Sequence, residues 1–291
     1  MIYSMEPEKK GAVFKGSGSK KFNVLPRSFW KWLLTASLVL FLVLGANQNS
    51  RAEDSAVSAI NAKVQALFGS FDSEGAALGL GSLTMPLGKE FGLQVDAGIG
   101  DVSSDNYWGG GGHLFWRDPS LGLIGLIGSY QELDDESLIR NGAEGEWYLN
   151  DFTIKGQAGY QYGDAEHGGF FSAGLKYYAM DNLALEVEPQ VGAGDLLFKA
   201  GLEYSPDLTA LPGLAFYAQG EAGEDNYDRW FAGFRYYFGP KKSLKLRHRQ
   251  DDPDTLLPYG MKYLQDKVRR PRPVTPSPAP APAPPPPPLP E

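Results

Sequence analysis

The sequence predicts an all-β fold, an antiparallel up-and-down β-barrel of about twelve strands. Alternation is the first observation. In 152–162 the even positions read Phe152, Ile154, Gly156, Ala158, Tyr160 and Tyr162, and the odd ones Thr153, Lys155, Gln157, Gly159 and Gln161. Successive strand side chains point to opposite faces, so such a segment has one apolar and one polar side. Residues 183–193 divide in the same way, with Leu183, Leu185, Val187, Pro189 and Val191 against Ala184, Glu186, Glu188 and Gln190. Spacing is the second: alternating segments follow one another, separated by turn-like clusters, at about the length a tilted strand needs to cross a bilayer. The third is a recurring frame of small residues in mid-strand, aromatics at one end and then a tight turn. It is seen in 111–118, 173–181, 200–207 and 232–238.

Taken in order, strands are expected over 62–71, 76–85, 91–100, 107–117, 121–130, 138–149, 152–162, 170–179, 183–193, 196–204, 214–223 and 229–238. In the first, Lys63 and Gln65 alternate with Val64; the second carries no charge on either face, and these two strands are the weakest. The third sets Gln94 and Asp96 against Leu93 and Val95, and the fourth sets His113 and Arg117 against Leu114. Its glycines at 109–112 read as room for neighbouring rings or close strand packing. The sixth opposes Glu144 and Glu146 to Trp147, and the eighth Lys176 to Leu175. The tenth opposes Lys199 and Glu203 to Phe198, the eleventh Gln219 and Glu221 to Phe216, and the twelfth Arg229 and Arg235 to Phe234 and Tyr236.

The flanks differ in kind. Residues 32–46 form an apolar run too short for a spanning helix, which needs about 20 residues. Lys9, Lys10, Lys15, Lys20, Lys21, Arg27 and Lys31 precede it, and Ser50-Arg51-Ala52 follows. A basic stretch, a short apolar stretch and a small-x-small site read as a secretory signal over 1–52, cleaved after Ala52, with an uncleaved inner-membrane anchor as the alternative. The barrel then occupies 53–239. Residues 240–270 read as a basic segment (Lys241, Lys242, Lys245, Arg247, Arg249) that lies, with the tail, in the periplasm, with a short helix expected over 255–268. Residues 271–291 are rich in Pro and Ala and read as an extended, disordered tail that makes no core.

Composition bounds the function. The chain has 291 residues and no cysteine, which excludes a disulfide framework and a thiolate metal site. A net charge of -8 argues against a nucleic-acid partner. The signatures G-x-S-x-G and H-E-x-x-H are absent, 81–89 has the wrong spacing for a phosphate loop, and His113, His167 and His248 are scattered. No cofactor, metal site or enzymatic activity is expected.

The signal segment, the alternating strands, the aromatic strand ends and the closing Gly233-Phe234-Arg235-Tyr236-Tyr237-Phe238 together resemble a bacterial outer-membrane β-barrel of the porin-like superfamily. The resemblance is architectural, covers about 61–238 and matches no subfamily motif. In such barrels the last aromatic strand usually ends the chain, whereas here a long segment follows Phe238. It implies an outer membrane of a Gram-negative bacterium, contact with lipid and lipopolysaccharide, and delivery by the outer-membrane assembly machinery. Outer-membrane phospholipases of similar strand count carry a Ser/His/Asn set facing lipid, and His113 lies on the other face.

With both ends of the barrel on the periplasmic side, the turns near 72–75, 101–106, 132–137, 163–168, 194–195 and 224–228 face outward. They are acidic, with Asp72, Glu74, Asp101, Asp105, Glu132, Asp134, Asp135, Glu136, Asp164, Glu166, Asp195, Glu224, Asp225 and Asp228. Of these, Asp101 with Asp105, and Glu224 with Asp225 and Asp228, are weak candidates for a divalent cation.

A charge facing lipid near mid-bilayer costs about 2–4 kcal/mol, so the charged faces should point inward. The expected lumen lining is Lys63, Asp96, His113, Arg117, Glu144, Glu146, Lys155, Lys176, Glu186, Glu188, Lys199, Glu203, Glu221, Arg229 and Arg235. Periodicity alone also fits a soluble periplasmic β protein with the polar face in water. Within the membrane reading, the lumen is either filled by paired charges or a narrow passive channel for small solutes. A further reading makes the barrel an envelope anchor, residues 241–291 reaching peptidoglycan or a periplasmic protein.

Overall fold

The computed structural model describes residues 55–71, 74–224 and 227–269. The expected signal over 1–52 and the Pro-rich tail lie outside the described residues. Twelve antiparallel strands close into a barrel in which each pairs with its sequence neighbours and β12 pairs with β1. They are β1 (Asn61–Phe71), β2 (Glu74–Leu87), β3 (Phe91–Val102), β4 (Asp105–Asp118), β5 (Gly122–Leu133) and β6 (Glu136–Leu149), followed by β7 (Phe152–Gly163), β8 (Gly168–Met180), β9 (Leu183–Gly192), β10 (Asp195–Tyr204), β11 (Leu214–Gly223) and β12 (Asp228–Tyr237). Every expected strand is present, several of them longer at their ends because the ladder continues into the turns.

The hairpins at one mouth are tight. Ser103 and Ser104 (φ 58 and 73), Asp134 and Asp135 (φ 47 and 67), and Ala193 and Gly194 (φ 49 and 104) each put both turn residues in the left-handed region. That geometry matches the right-handed twist of the flanking strands and fixes their register. The opposite mouth holds the start of β1, the end of β12 and the 205–213 connection.

Alternation sorts the side chains as the lipid environment demands. Phe68, Val95, Ile99, Trp108, Ile124, Leu126, Trp147, Phe171, Val187, Phe198 and Phe234 are exposed on the outer wall. So wide an apolar surface is a membrane-facing belt; soluble proteins rarely expose more than a few hundred Å² in one patch. Aromatics gather in the belt at both mouths. Phe152 stacks on Tyr177 (4.8 Å between ring centres) and Phe216 meets Phe234 edge-on (5.8 Å) near the mouth with the chain ends, and Trp108 lies against Tyr130 (5.1 Å) near the other. Amphipathic rings settle at the headgroup level, so two girdles bracket the hydrocarbon.

Residues beyond β12 do not leave the barrel. Helix α1 (Leu244–Gln250) caps the mouth beside the chain ends, an irregular stretch follows, and α2 (Met261–Arg269) sits at the opposite mouth. Ser243 starts α1 by accepting from the Leu246 N–H (3.4 Å), and Arg247, His248 and Arg249 occupy its last turn, where the helix dipole favours cations. The helix expected over 255–268 begins only at Met261. Before it, the backbone is committed to the wall: the Leu256 N–H donates to Asp96 (3.0 Å), and the Pro258 and Tyr259 carbonyls accept from Arg229 (3.1 Å) and Gln131 (2.7 Å).

Candidate functional site

The site is the lumen, and its wall comes from the polar face of the strands. Twelve of the fifteen residues expected to line it are buried inside: Lys63, Asp96, His113, Arg117, Glu144, Lys176, Glu188, Lys199, Glu203, Glu221, Arg229 and Arg235. The other three, Glu146, Lys155 and Glu186, are partly buried on the same inner face.

The charges pair along the wall. Arg229 pairs with Glu221, and Arg235 with Glu203. His113 is held through both ring nitrogens, Nδ1 by Glu144 (2.8 Å) and Nε2 by Asp96 (3.2 Å), so a carboxylate occupies each position from which the ring could serve a hydroxyl. On β7 to β10, Lys155 contacts Glu186 (2.8 Å) and Glu188 (3.2 Å), Lys199 contacts the same two carboxylates (2.9 and 2.6 Å), and Lys176 reaches Glu186 (3.3 Å). Here the wall supplies three ammonium groups and two carboxylates. The third carboxylate is Asp254 of the C-terminal segment, 2.7 Å from Lys155 and 3.0 Å from Lys176. A buried unpaired charge costs several kcal/mol, so the segment completes a balance that the wall leaves open.

The segment is tied in at every level. Lys63 pairs with Asp252 and donates to the Pro253 carbonyl (2.8 Å). The Tyr259 hydroxyl donates to Glu188 (3.0 Å) and accepts from Lys199. Above this ionic layer the contact turns apolar. Leu257, Met261 and Leu264 are fully buried in one cluster with Phe71, Leu78, Leu80, Val102, Tyr107, Leu133 and Leu138 of the wall. Each such side chain contributes about 1.5–3 kcal/mol. Gly260 has φ +81, and a Cβ there would press on Leu138 at 2.7 Å, so a glycine lets the segment turn close to β6. A cavity beside the segment, lined in part by Gln65, Glu186, Tyr217 and Gln219, holds about 50 Å³ of water-accessible space, enough for a few water molecules.

Residues 240–269, read from sequence as a segment separate from the barrel, therefore enter it, and 252–259 form part of its interior. The basic residues of 241–249 meet the mouth beside the chain ends. Lys241 pairs with Asp207, Lys245 with Asp151 (2.7 Å) and Lys242 with Asp251 (2.5 Å), while Arg249 donates to the Phe152 carbonyl (2.7 Å). His248 sits between the hydroxyls of Tyr178 (3.1 Å) and Tyr237 (3.2 Å).

Some lumen residues escaped the sequence reading. Arg140 shares its face of β6 with Glu144 and Glu146, and its guanidinium lies 3.9 Å over the Phe170 ring; counting by twos would have found it. Nothing local could have assigned Asp252, Asp254 or Tyr259. Of the acidic residues weighed for a cation, Asp101 accepts from the Ser104 N–H (3.2 Å) within its turn, and Asp225 lies outside the described residues.

No protein-family model and no curated protein matches the chain. Solved structures do. A KdgM porin is 14% identical with a TM-score of 0.50, covering 61% of this chain and 99% of that one. Omp33 of Acinetobacter baumannii is 11% identical with a TM-score of 0.44, covering 62% and 98%. The outer membrane phospholipase A of Escherichia coli is 12% identical with a TM-score of 0.43, covering 62% and 93%. The closed antiparallel β-barrel of this chain is the fold it shares with the KdgM porin.

Proposed function

We propose that this protein is an integral outer-membrane barrel that is closed by its own C-terminal segment, a structural barrel and not an open diffusion pore. The observation that carries this reading is Asp254. It is the third carboxylate among Lys155, Lys176 and Lys199, and it comes from the segment that fills the lumen. A lumen built for free passage would balance its own charges and line its upper half with polar groups. This wall instead places Leu78, Leu80, Leu133 and Leu138 in one apolar cluster with Leu257, Met261 and Leu264 of the segment.

A gated channel is the second reading, and one observation favours it. Residues 251–260 are held by side chains of the wall and add no strand to its sheet. Such contacts can be released without breaking the barrel ladder. Under either reading the exposed belt takes lipid, and the assembly machinery and lipopolysaccharide are its expected partners. Catalysis is no part of the proposal, since both His113 nitrogens are engaged by carboxylates.

Planar-bilayer recording of the refolded full chain and of a chain ending at residue 240 tests this. Absence of steady conductance from the full chain and steady conductance from the shorter one is the expected pair of results. Equal conductance from both would remove the segment from any closing role. Brief openings of the full chain would favour the gated reading.

A further inference from the structure

The contacts of the C-terminal segment climb the barrel in one direction. Residue by residue, the partners of 244–249 are Asn182, Asp181, Asp151 and Phe152, all at the mouth that holds the chain ends. Residues 252–259 bind Lys63, Gln94, Asp96, Lys155 and Glu188 along the strands. Next, Lys262 binds Asp195 (2.7 Å), where β10 begins, and the Tyr263 hydroxyl donates to the Gly192 carbonyl (2.6 Å), where β9 ends. Finally Arg269 reaches Glu74 (3.4 Å), at the start of β2. Strands β9 and β2 span the whole barrel, so a segment that touches Asn182 at one point and Gly192 at another has crossed it.

The N-terminal side of the barrel stays behind. The Ala56 N–H donates to the Lys89 carbonyl (2.7 Å) and the Ser58 N–H to the Gln250 carbonyl (3.0 Å), both at the mouth where the segment enters. The two ends of the described chain therefore lie at opposite mouths.

We propose that the chain passes through its own barrel, so that everything from residue 270 onward leaves at the acidic mouth and is presented on the outer face of the membrane. The barrel thus acts as a holder that displays its C-terminal sequence to the cell's surroundings, the opposite of a tether reaching into the periplasm. Charge fits this exit. Arg269 pairs with Glu74 at this mouth, whose turns also carry Asp101 and Asp134, and Arg270 and Arg272 follow it in sequence. Basic side chains at an acidic rim hold the exit point in place and oppose retraction into an apolar lumen.

This inference rests on the filled lumen proposed above but adds the direction of passage, and the two fail separately. Bilayer conductance judges closure whichever mouth faces out. Sidedness is judged by single-thiol labelling in cells, which the absence of any native cysteine makes clean. Full-length chains carrying Ser277→Cys, Ser104→Cys in the β3–β4 turn, or Thr209→Cys in the 205–213 connection are expressed in a Gram-negative host. Each is treated with a maleimide polymer too large for diffusion pores. Ser277→Cys is expected to label fully on intact cells, as Ser104→Cys does, with Thr209→Cys labelled only after the outer membrane is opened. Loss of Ser277→Cys labelling until that opening, in step with Thr209→Cys, would overturn the proposal. So would protection of Ser104→Cys on intact cells, because the acidic mouth would then face inward.

Discussion

Around Asp254 the wall meets the C-terminal segment with charge; around Leu257 and Leu264 it meets it with hydrocarbon. The ionic layer is built from Lys155, Lys176, Lys199, Glu186 and Glu188, and the apolar layer above it from residues such as Leu78, Leu80, Leu133 and Leu138. Ion pairs need directional partners and lose much of their attraction to desolvation, whereas the apolar contact gains with every buried carbon. The difference teaches which layer sets position and which sets strength. Asp252 and Asp254 fix where the segment lies, and the leucines and Met261 supply most of the reason it stays.

Removing the segment breaks both layers at once and should have the largest effect. A chain ending at residue 240 exposes the apolar layer to water and leaves Lys155 and Lys176 without Asp254, so its thermal transition should fall well below that of the full chain. Heat-shifted mobility on gels reads this directly. Asp254→Ala breaks the ionic layer alone. Taking one partner from a buried network costs about 3–5 kcal/mol, and hydrogen exchange over 251–269 should rise accordingly. The same variant leaves a net positive ring, so any openings recorded in bilayers should favour anions.

Leu257→Ala weakens only the apolar layer. Its side chain is fully buried, so about 2–5 kcal/mol should be lost from segment docking, measured by the same exchange.

The smallest effect belongs to the outer rim. The Ser137 hydroxyl and N–H bond Asp164 in the β7–β8 turn and hold its carboxyl below the usual carboxylate range. A depressed carboxylate stabilises the folded chain above its unfolded pKa, and that contribution is lost as pH falls through the lower, folded value. Acidification below about pH 4 should therefore loosen this turn in the native chain, and Asp164→Asn should be insensitive to the same change. Amide exchange at Ser137 checks it.

How much of this could be read from the residues depends on distance along the chain. Strand alternation is local, and the two-residue period in 152–162 and 183–193 placed β7 and β9 with almost no adjustment. The lumen lining followed from the same parity, since hydrocarbon outside leaves the charged face nowhere else to point. The filling segment was not legible, because its partners are remote: Lys63 and Pro253 are separated by 190 positions, and Lys155 and Asp254 by 99. Two traces of it were nonetheless in the sequence. Within 76–85, strand β2 has no charge on its inner face, with Ala76, Leu78 and Leu80 there, because the cluster they join contains Leu257 and Met261. The period of the helix expected over 255–268 also puts Leu257, Met261, Leu264 and Val268 on one side. They do share a surface, but Leu257 reaches it from a turn.

Amide hydrogen exchange of the refolded full chain in lipid, resolved over residues 252–264, tests the filled lumen most directly. The Leu256, Tyr259 and Tyr263 N–H groups are bonded to Asp96, Leu256 and Gly260, and their region should be protected to the level of the barrel strands. Exchange of 252–264 at the rate of an unstructured peptide, with the strands still protected, would contradict it.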